Sequence, residues 1–540
     1  MNRREFIART ALLAGAALPV LGRASRTRED RFAAAFDSPT AAAGSRLWFE
    51  TTDPALAATY RHALDVLAAN VMVLPYYPQP VLIEGSVYQR LSGEGGPHEG
   101  LIYSAIRPDV ARNNQMAFFA LQREDGEIPH AMKSNEIGWR HLQLAVPLAA
   151  TAWELSQQTG DSELLETAYN GWSRFDAWLR RYRDTRQTGL CEGFCTFDTG
   201  QDKSPRWAGI PDSCPDDDAR KCPPIPSLPR LCPDMSATVY GGRVALAAMA
   251  RALGKSAEAH RWLADAEAIR SLILNRLYAA GDAAFYDLDA QDQFVRVRGE
   301  VIARVLGEHV ADQNLFETIY DRQIHNPAAF WAPYPLTSIA LDDPKFVRPI
   351  PVNSWGGASQ ALTALRATRW MEHYGKPADF AHLMQQWVSA ICRANDFYQQ
   401  IDPLNGTSTQ APANYSPAAL ALFDFTWRLA GVRQVGENIE WNVRPPAPAT
   451  RATYRLTLTP TRVAELRYAS GAAELLLNGK LLCRTSSTVR LLTDAEGKIH
   501  IAAGIAPQTT RVVVLNSSAR APAFSIQPNE TLEFDGPSRN

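Results

Sequence analysis

In the stretch FDTGQDKSPRW, from Phe197 to Trp207, Asp198 and Asp202 stand four residues apart and an Arg206-Trp207 pair closes the segment. Two carboxyl groups in one loop suit proton-transfer chemistry, in which one group stays protonated as a general acid and another stays ionised to activate water or attack carbon. The same composition has a plain structural reading, because Asp, Gly, Ser and Pro are what turns are built from. Three further segments carry comparable chemistry. VLIEGSVYQRLSGEGGPHEG supplies Glu84, Tyr88, Glu94, His98 and Glu99, PVNSWGGAS supplies Trp355, and FYQQIDPLNGTSTQAPANYS supplies Gln399 and Asp402. The chemistry that asks least of this inventory is glycoside hydrolysis, which needs two carboxyl groups and gains from aromatic faces and from side chains that hold hydroxyls. On that reading Asp198 and Asp202 are the loop's candidate carboxyls, with Asp198 a sugar contact or a loop cap, Arg206, Glu84 and Tyr88 are candidates for sugar contacts, and Trp207 and Trp355 are stacking faces or core residues. A tight Arg206–Asp202 ion pair would lower the Asp202 pKa and spoil a general acid, so the acid role predicts that no such pair forms.

Other catalytic classes lack their signatures. The ten histidines form no H-E-x-x-H, and neither a G-x-S-x-G elbow nor a Walker loop is present. No metal and no cofactor is expected. The formal net charge of -2, from 55 basic and 57 acidic residues, shows no basic stripe and argues against nucleic acid as a partner. A carbohydrate is the expected ligand and a monomer the expected state.

The elements that must position these groups follow from periodicity. From about residue 54 to 431 the chain reads as helix after helix. ATVYGGRVALAAMARAL and SAEAHRWLADAEAIRSLILNRLY form one helical hairpin, with others over 140–158 with 162–182 and 356–374 with 377–394. TYRHALDVLAANVMVL opens the series and SPAALALFDFTWRLAG closes it. Such a run fits an α/α toroid or an open solenoid, and the absence of a fixed-length repeat favours the toroid. The expected fold is therefore mainly α, an (α/α)6 barrel over 45–432. The chemistry-bearing stretches fall in its long loops, 76–106, 184–235, 327–356 and 395–416. After Gly431 alternating short strands take over, with Asn478-Gly479 between two apolar runs as a hairpin signal, so 436–540 is expected to form a small antiparallel β-domain of accessory role.

The first 24 residues read as an export signal. Arg3 and Arg4 precede Phe6, an apolar run extends from Thr10 to Leu21, and Gly22-Arg23-Ala24 offers a cleavage site. The paired arginines are those of a twin-arginine signal, which implies a periplasmic or secreted protein. No other run is long enough to span a membrane. Cys191, Cys195, Cys214, Cys222 and Cys232 cluster in the second loop. In an oxidising compartment such clustering favours one or two disulfides over a zinc site, with Cys214 to Cys222 the easiest local closure.

Several of these segments resemble one family. TGQDKSPRW followed by PDMSATVYGGRVALAAMARALGK is similar to the segment found in α/α-barrel glycosidases of glycoside hydrolase family 63 and their mannosylglycerate-hydrolase-like relatives, with trehalases more distant. QREDGEIPHAMK and WRHLQLAVPLAATAWELSQQTGD resemble two further family patterns, and the likeness covers most of 100–430. The resemblance implies Asp202 as general acid, Asp234 as the aspartate that opens the following helix, and an inverting mechanism. It also exposes a departure. Where the family has its catalytic Glu, this chain has Gln399, whose amide cannot serve as a base near neutral pH. Glu84, Glu94, Glu99, Asp396 and Asp402 lie in the right loops to substitute, and Glu99 in the Gly-rich PHEG segment is the favoured choice. Two rivals stay open: a polysaccharide lyase using Tyr88, His98, His130 or Tyr240, and a catalytically silent sugar-binding protein.

Overall fold

The computed structural model describes residues 46–409, 413–516 and 523–534. The proposed export signal lies outside the described residues. Twelve α-helices occur among those described. They are α1 (Pro54–Ala69), α2 (Gly96–Tyr103), α3 (Pro108–Ala120), α4 (Leu148–Thr159), α5 (Ser162–Tyr182), α6 (Pro233–Ala252), α7 (Ser256–Leu272), α8 (Val301–Gly307), α9 (Gln313–Ile319), α10 (Ala361–Arg366), α11 (Pro377–Ala394) and α12 (Ser416–Ala430).

Local chemistry sets their ends. Asp53 caps α1 by accepting from the Ala55 and Leu56 amides, and Asp161 caps α5 by accepting from Leu164 N. Gly160, at φ 72°, ends α4 and lets α5 start two residues later. Asn395 ends α11 in the same left-handed conformation.

Each even-numbered helix packs against the next, α2 on α4, α4 on α6, α6 on α8, α8 on α10 and α10 on α12, and α12 returns to α2. The odd-numbered helices lie outside this ring; α1 packs on α12 and α11, and α3 on α5. Connections from an even helix to the next odd one are short. All the connections from odd to even helices are long, so the long loops gather at one end of the ring, where a pocket can be lined from distant parts of the chain. Trp178, Trp370 and Trp387 fill the core, with Trp427 donating its indole N–H to the Tyr60 hydroxyl at 2.9 Å.

Three expectations change here. The segment 140–147 is not helical but an extended strap ahead of α4. The segment 76–106 is not all loop, because α2 and the strand Tyr77–Leu82 lie within it. The strand Leu47–Thr51, expected in the helical part, pairs antiparallel with Ala452–Thr459 in a six-stranded sheet of the C-terminal part. The rest of that sheet is a run of antiparallel hairpins, and Asn478 and Gly479, at φ 51° and 75°, make the two-residue turn between Ala472–Leu477 and Lys480–Thr485. A second, five-stranded sheet begins at Val432–Val435, directly after α12. The Tyr468 hydroxyl bonds the Ala430 carbonyl at 2.9 Å, and Arg490 pairs with Glu372 at 2.8 Å, so the sheets are bound to the helices by polar contacts as well as apolar ones. No helix among the described residues is long and apolar enough to cross a membrane.

Candidate active site

Asp202 lies at the long-loop end, in the connection from α5 to α6, and is half-buried. Its loop is pinned from beneath. Arg304, on α8, donates Nη1 to the Thr199 carbonyl at 2.6 Å, and Gly200, at φ 69°, lies so close to Glu94 that a Cβ there would collide with the Glu94 carboxylate. Only glycine satisfies both the conformation and the contact. The Asp202 carboxylate accepts a hydrogen bond from Asn353 Nδ2 at 2.6 Å. Burial pushes its pKa up to about 6, the Asn353 bond and the Arg90 charge pull against that rise, and the Asp212 and Glu84 charges add to it.

Asn353 continues a chain of contacts. Its Oδ1 accepts from Gln399 Nε2 at 3.0 Å, and the Gln399 Oε1 accepts from the Tyr88 hydroxyl at 2.9 Å. Asp202, Asn353, Gln399 and Tyr88 therefore form one hydrogen-bonded line across four different loops. Tyr88 sits in a tight turn in which Glu84 N bonds the Arg90 carbonyl and Arg90 Nε pairs with Glu84 Oε1 at 3.2 Å. The Glu84 carbonyl accepts from Ser416 N, which ties this turn to the start of α12. Arg90 in turn feels the charges of Glu84, Glu94 and Asp202. Glu94 is buried, its Oε1 3.3 Å from Arg366 Nη2 and 3.8 Å from Arg304 Nη2. Burial, with the Glu84 and Asp202 charges, raises its pKa to about 7 against the pull of those arginines.

Several candidates prove structural. Asp198 is fully enclosed, held by Arg183 through contacts of 2.5 and 3.0 Å and by the amides of Leu142, Phe194 and Cys195, so it pins the loop and has no oxygen left for sugar. Arg206 turns away from Asp202 and is spent on Asp234 and Asp287, at 2.7 and 2.6 Å, which makes Asp234 and Arg206 a buried clamp rather than ligand contacts. Trp207 is core, with its indole donating to Thr199 Oγ1 at 3.0 Å. Trp355 is also enclosed, its ring beside the Arg304 guanidinium and its amide donating to the Asp202 carbonyl, so it supports the acid loop and offers no open stacking face.

Glu99 stands in the first turn of α2, not in a loop. Both its oxygens are enclosed with no hydrogen-bond partner, and burial raises its pKa well above the usual carboxylate range. Enclosed and without a hydrogen-bond partner, Glu99 has no contact with an attacking water and is a poor base. Asp402 pairs with Arg348 at 2.7 Å and caps its own turn at Leu404 N. Asp396 bonds the adjacent Phe397 amide. The residues that sequence reasoning passed over are Asn353, Arg90 and the Arg304–Arg366 pair. Asn353 has φ 47°, a conformation Asn tolerates, and the N-S-W-G-G run was its available signal.

The cysteines are all unbonded among the described residues; the Sγ atoms of Cys214 and Cys195 lie 3.7 Å apart, and Cys222 packs against the same cluster. Cys195, Asp198 and Cys214 form the one grouping of metal-ligand atoms among the described residues, but Arg183 and three amides already occupy the Asp198 oxygens.

A ring of helices that gathers its long loops around a half-buried aspartate is an architecture that suits a glycoside hydrolase of the helical class. Residues 101–427 match the family of mannosylglycerate hydrolase MGH1-like glycoside hydrolase domains, and the chain belongs to that family of glycosidases. Among solved structures it resembles the GH63 mannosylglycerate hydrolase of Thermus thermophilus bound to Tris, with a TM-score of 0.56 at 17% identity over 68% of this chain and 99% of that one. A sialidase matches with a TM-score of 0.61 at 17% identity over 83% of this chain, and this chain spans 41% of the sialidase. The neutral trehalase of Saccharomyces cerevisiae matches at 0.51 and 13% identity, over 69% of this chain and 80% of that one. At such identities these likenesses show the fold. None of the curated proteins matches the chain in sequence.

Proposed function

We propose that the chain is an exported, inverting glycosidase, an (α/α)6 barrel with a C-terminal β-domain, acting on an oligosaccharide or small glycoside. Asp202 protonates the departing oxygen. The observation that carries this reading is the environment of Asp202: half-buried at the loop end, bonded by a neutral amide and free of any close arginine pair, as an acid protonated near pH 6 must be. Tyr88, Gln399 and Asn353 hold sugar hydroxyls or the attacking water. Residues 1–24 direct export. The helical relative named for mannosylglycerate makes a small glycoside of a carboxylated aglycone the first substrate to try.

The test is product release by the mature chain across a glycan panel that includes mannosylglycerate. Cleavage of one member supports the reading. Tight binding by calorimetry with no product from any ligand bound would replace it with a silent sugar-binding protein, the second reading, which Gln399 at the family's base position favours. The glycoside hydrolase family match weighs against the lyase reading, and of its candidate bases His98 and His130 are enclosed, Tyr240 packs against the core and Tyr88 donates its hydroxyl to Gln399.

A further inference from the structure

With Gln399 unable to accept a proton, some other carboxylate must act opposite Asp202 if the glycosidase reading holds, and the inference here rests on that reading. The ring order restricts the choice. Asp202 is in the α5–α6 connection and Gln399 in the α11–α12 connection, half a turn of the six-membered inner ring apart. A base must lie on the Gln399 side, since an inverting reaction brings water to the face of the sugar opposite the acid. Because α12 packs on both α10 and α2, the loops next to Gln399 are the α9–α10 connection, which carries Asn353, and the α1–α2 connection, which carries Glu84 and Glu94.

The contacts agree. The Glu84–Arg90 turn delivers Tyr88 onto Gln399 at 2.9 Å, and the Glu84 carbonyl is fixed to Ser416 at the end of the Gln399 loop. The Glu84 carboxylate is oriented by Arg90 at 3.2 Å. Other carboxyls are disqualified by place or partner. Glu94 lies under Gly200 beside the acid loop, Glu99 is enclosed with no hydrogen-bond partner, and Asp402 is paired with Arg348 and caps its own turn at Leu404.

We propose that Glu84 is the general base, transferred from position 399 to the neighbouring loop, with Tyr88 and Gln399 positioning the water. In the step, the water oxygen bonds to the anomeric carbon as the bond from that carbon to the leaving oxygen breaks. One water proton passes to Glu84 and the Asp202 proton passes to the leaving oxygen. The products are the free sugar, of inverted configuration, and the alcohol, and both carboxyl groups then re-equilibrate with solvent.

The experiment uses the full mature chain and a nitrophenyl glycoside of whichever sugar the wild type cleaves. Glu84→Gln is expected to lower kcat by about 10²–10⁴-fold with KM little changed. Azide added to Glu84→Ala is expected to restore turnover and yield a glycosyl azide of inverted configuration, because a small anion then replaces the activated water. Gln399→Glu placed in the Glu84→Gln background is expected to recover at least tenfold of the lost rate, which a merely structural Glu84 would not permit. Glu84→Gln with wild-type kcat, or a folded Glu84→Ala that azide does not rescue, overturns the assignment while leaving the glycosidase reading intact. A wild type that cleaves no glycoside overturns that reading, and this one with it.

Discussion

Gln399 is joined to Asp202 through a single intervening side chain: Gln399 Nε2 donates to Asn353 Oδ1 at 3.0 Å, and Asn353 Nδ2 donates to Asp202 at 2.6 Å. The residue that departs from the family pattern is thus wired to the candidate acid. Asn353 donates its N–H to Asp202, which turns its Oδ1 toward the Gln399 amide.

Asn353→Ala should raise the Asp202 pKa, because the lost hydrogen bond stabilises the ionised form. An acid must be protonated to work, so the alkaline limb of kcat/KM, expected near pH 6 in the wild type, should move to higher pH in the variant. A pH profile of both proteins measures this. An unmoved limb would separate the Asn353 bond from the proton that matters.

Asp198→Asn should damage folding rather than chemistry. Arg183 and Asp198 are both enclosed, and removing one partner of a buried pair leaves the other charge uncompensated, at a cost of about 3–5 kcal/mol. Urea unfolding should show the loss, while the folded fraction keeps its KM. Arg206→Met should behave alike through Asp234 and Asp287.

Glu372 should govern acid stability. Burial alone would raise its pKa, but Arg490, Arg428 and Arg433 outweigh burial and hold it down to about 2. A depressed carboxylate pKa stabilises the fold fully above the unfolded value, near 4.5, and the contribution disappears as pH falls from there toward 2. Thermal melts from about pH 6 down to about pH 2.5 should fall steeply for the wild type. Glu372→Gln should start lower and show a shallower slope over the same window.

The helical pairs were readable because their apolar spacing is regular, and the hairpin at Asn478-Gly479 because those two residues suit a left-handed turn. Helix α2 was not readable. Its sequence, GPHEGLIY, is rich in residues that mark loops, and it is helical because buried neighbours surround it: a Cβ on Gly96 would collide with Leu91. Helices α8 and α9, at 7 residues each, are too short for a period to register. Within the site, residue type and position single out Asp202 and a set of five carboxyls as candidates, but not which of the five faces it, and Glu99, the favoured one, proves enclosed in α2. The fate of Asp198 and Arg206 could not, because it is decided by Arg183 and Asp287, partners that only the folded chain brings near. Two carboxylates in one loop look alike in sequence, and what distinguishes them is which one meets an arginine.

Asp202 as the proton donor is open to a direct test through leaving-group dependence. Rates of wild type and Asp202→Asn are compared on two glycosides of the same sugar, one with a dinitrophenolate leaving group that needs no proton and one with an alkyl alcohol that does. The variant is expected to keep most of its rate on the first and to lose about 10²–10⁴-fold on the second. Equal rates for variant and wild type on the alkyl glycoside would contradict the assignment of Asp202 as the acid.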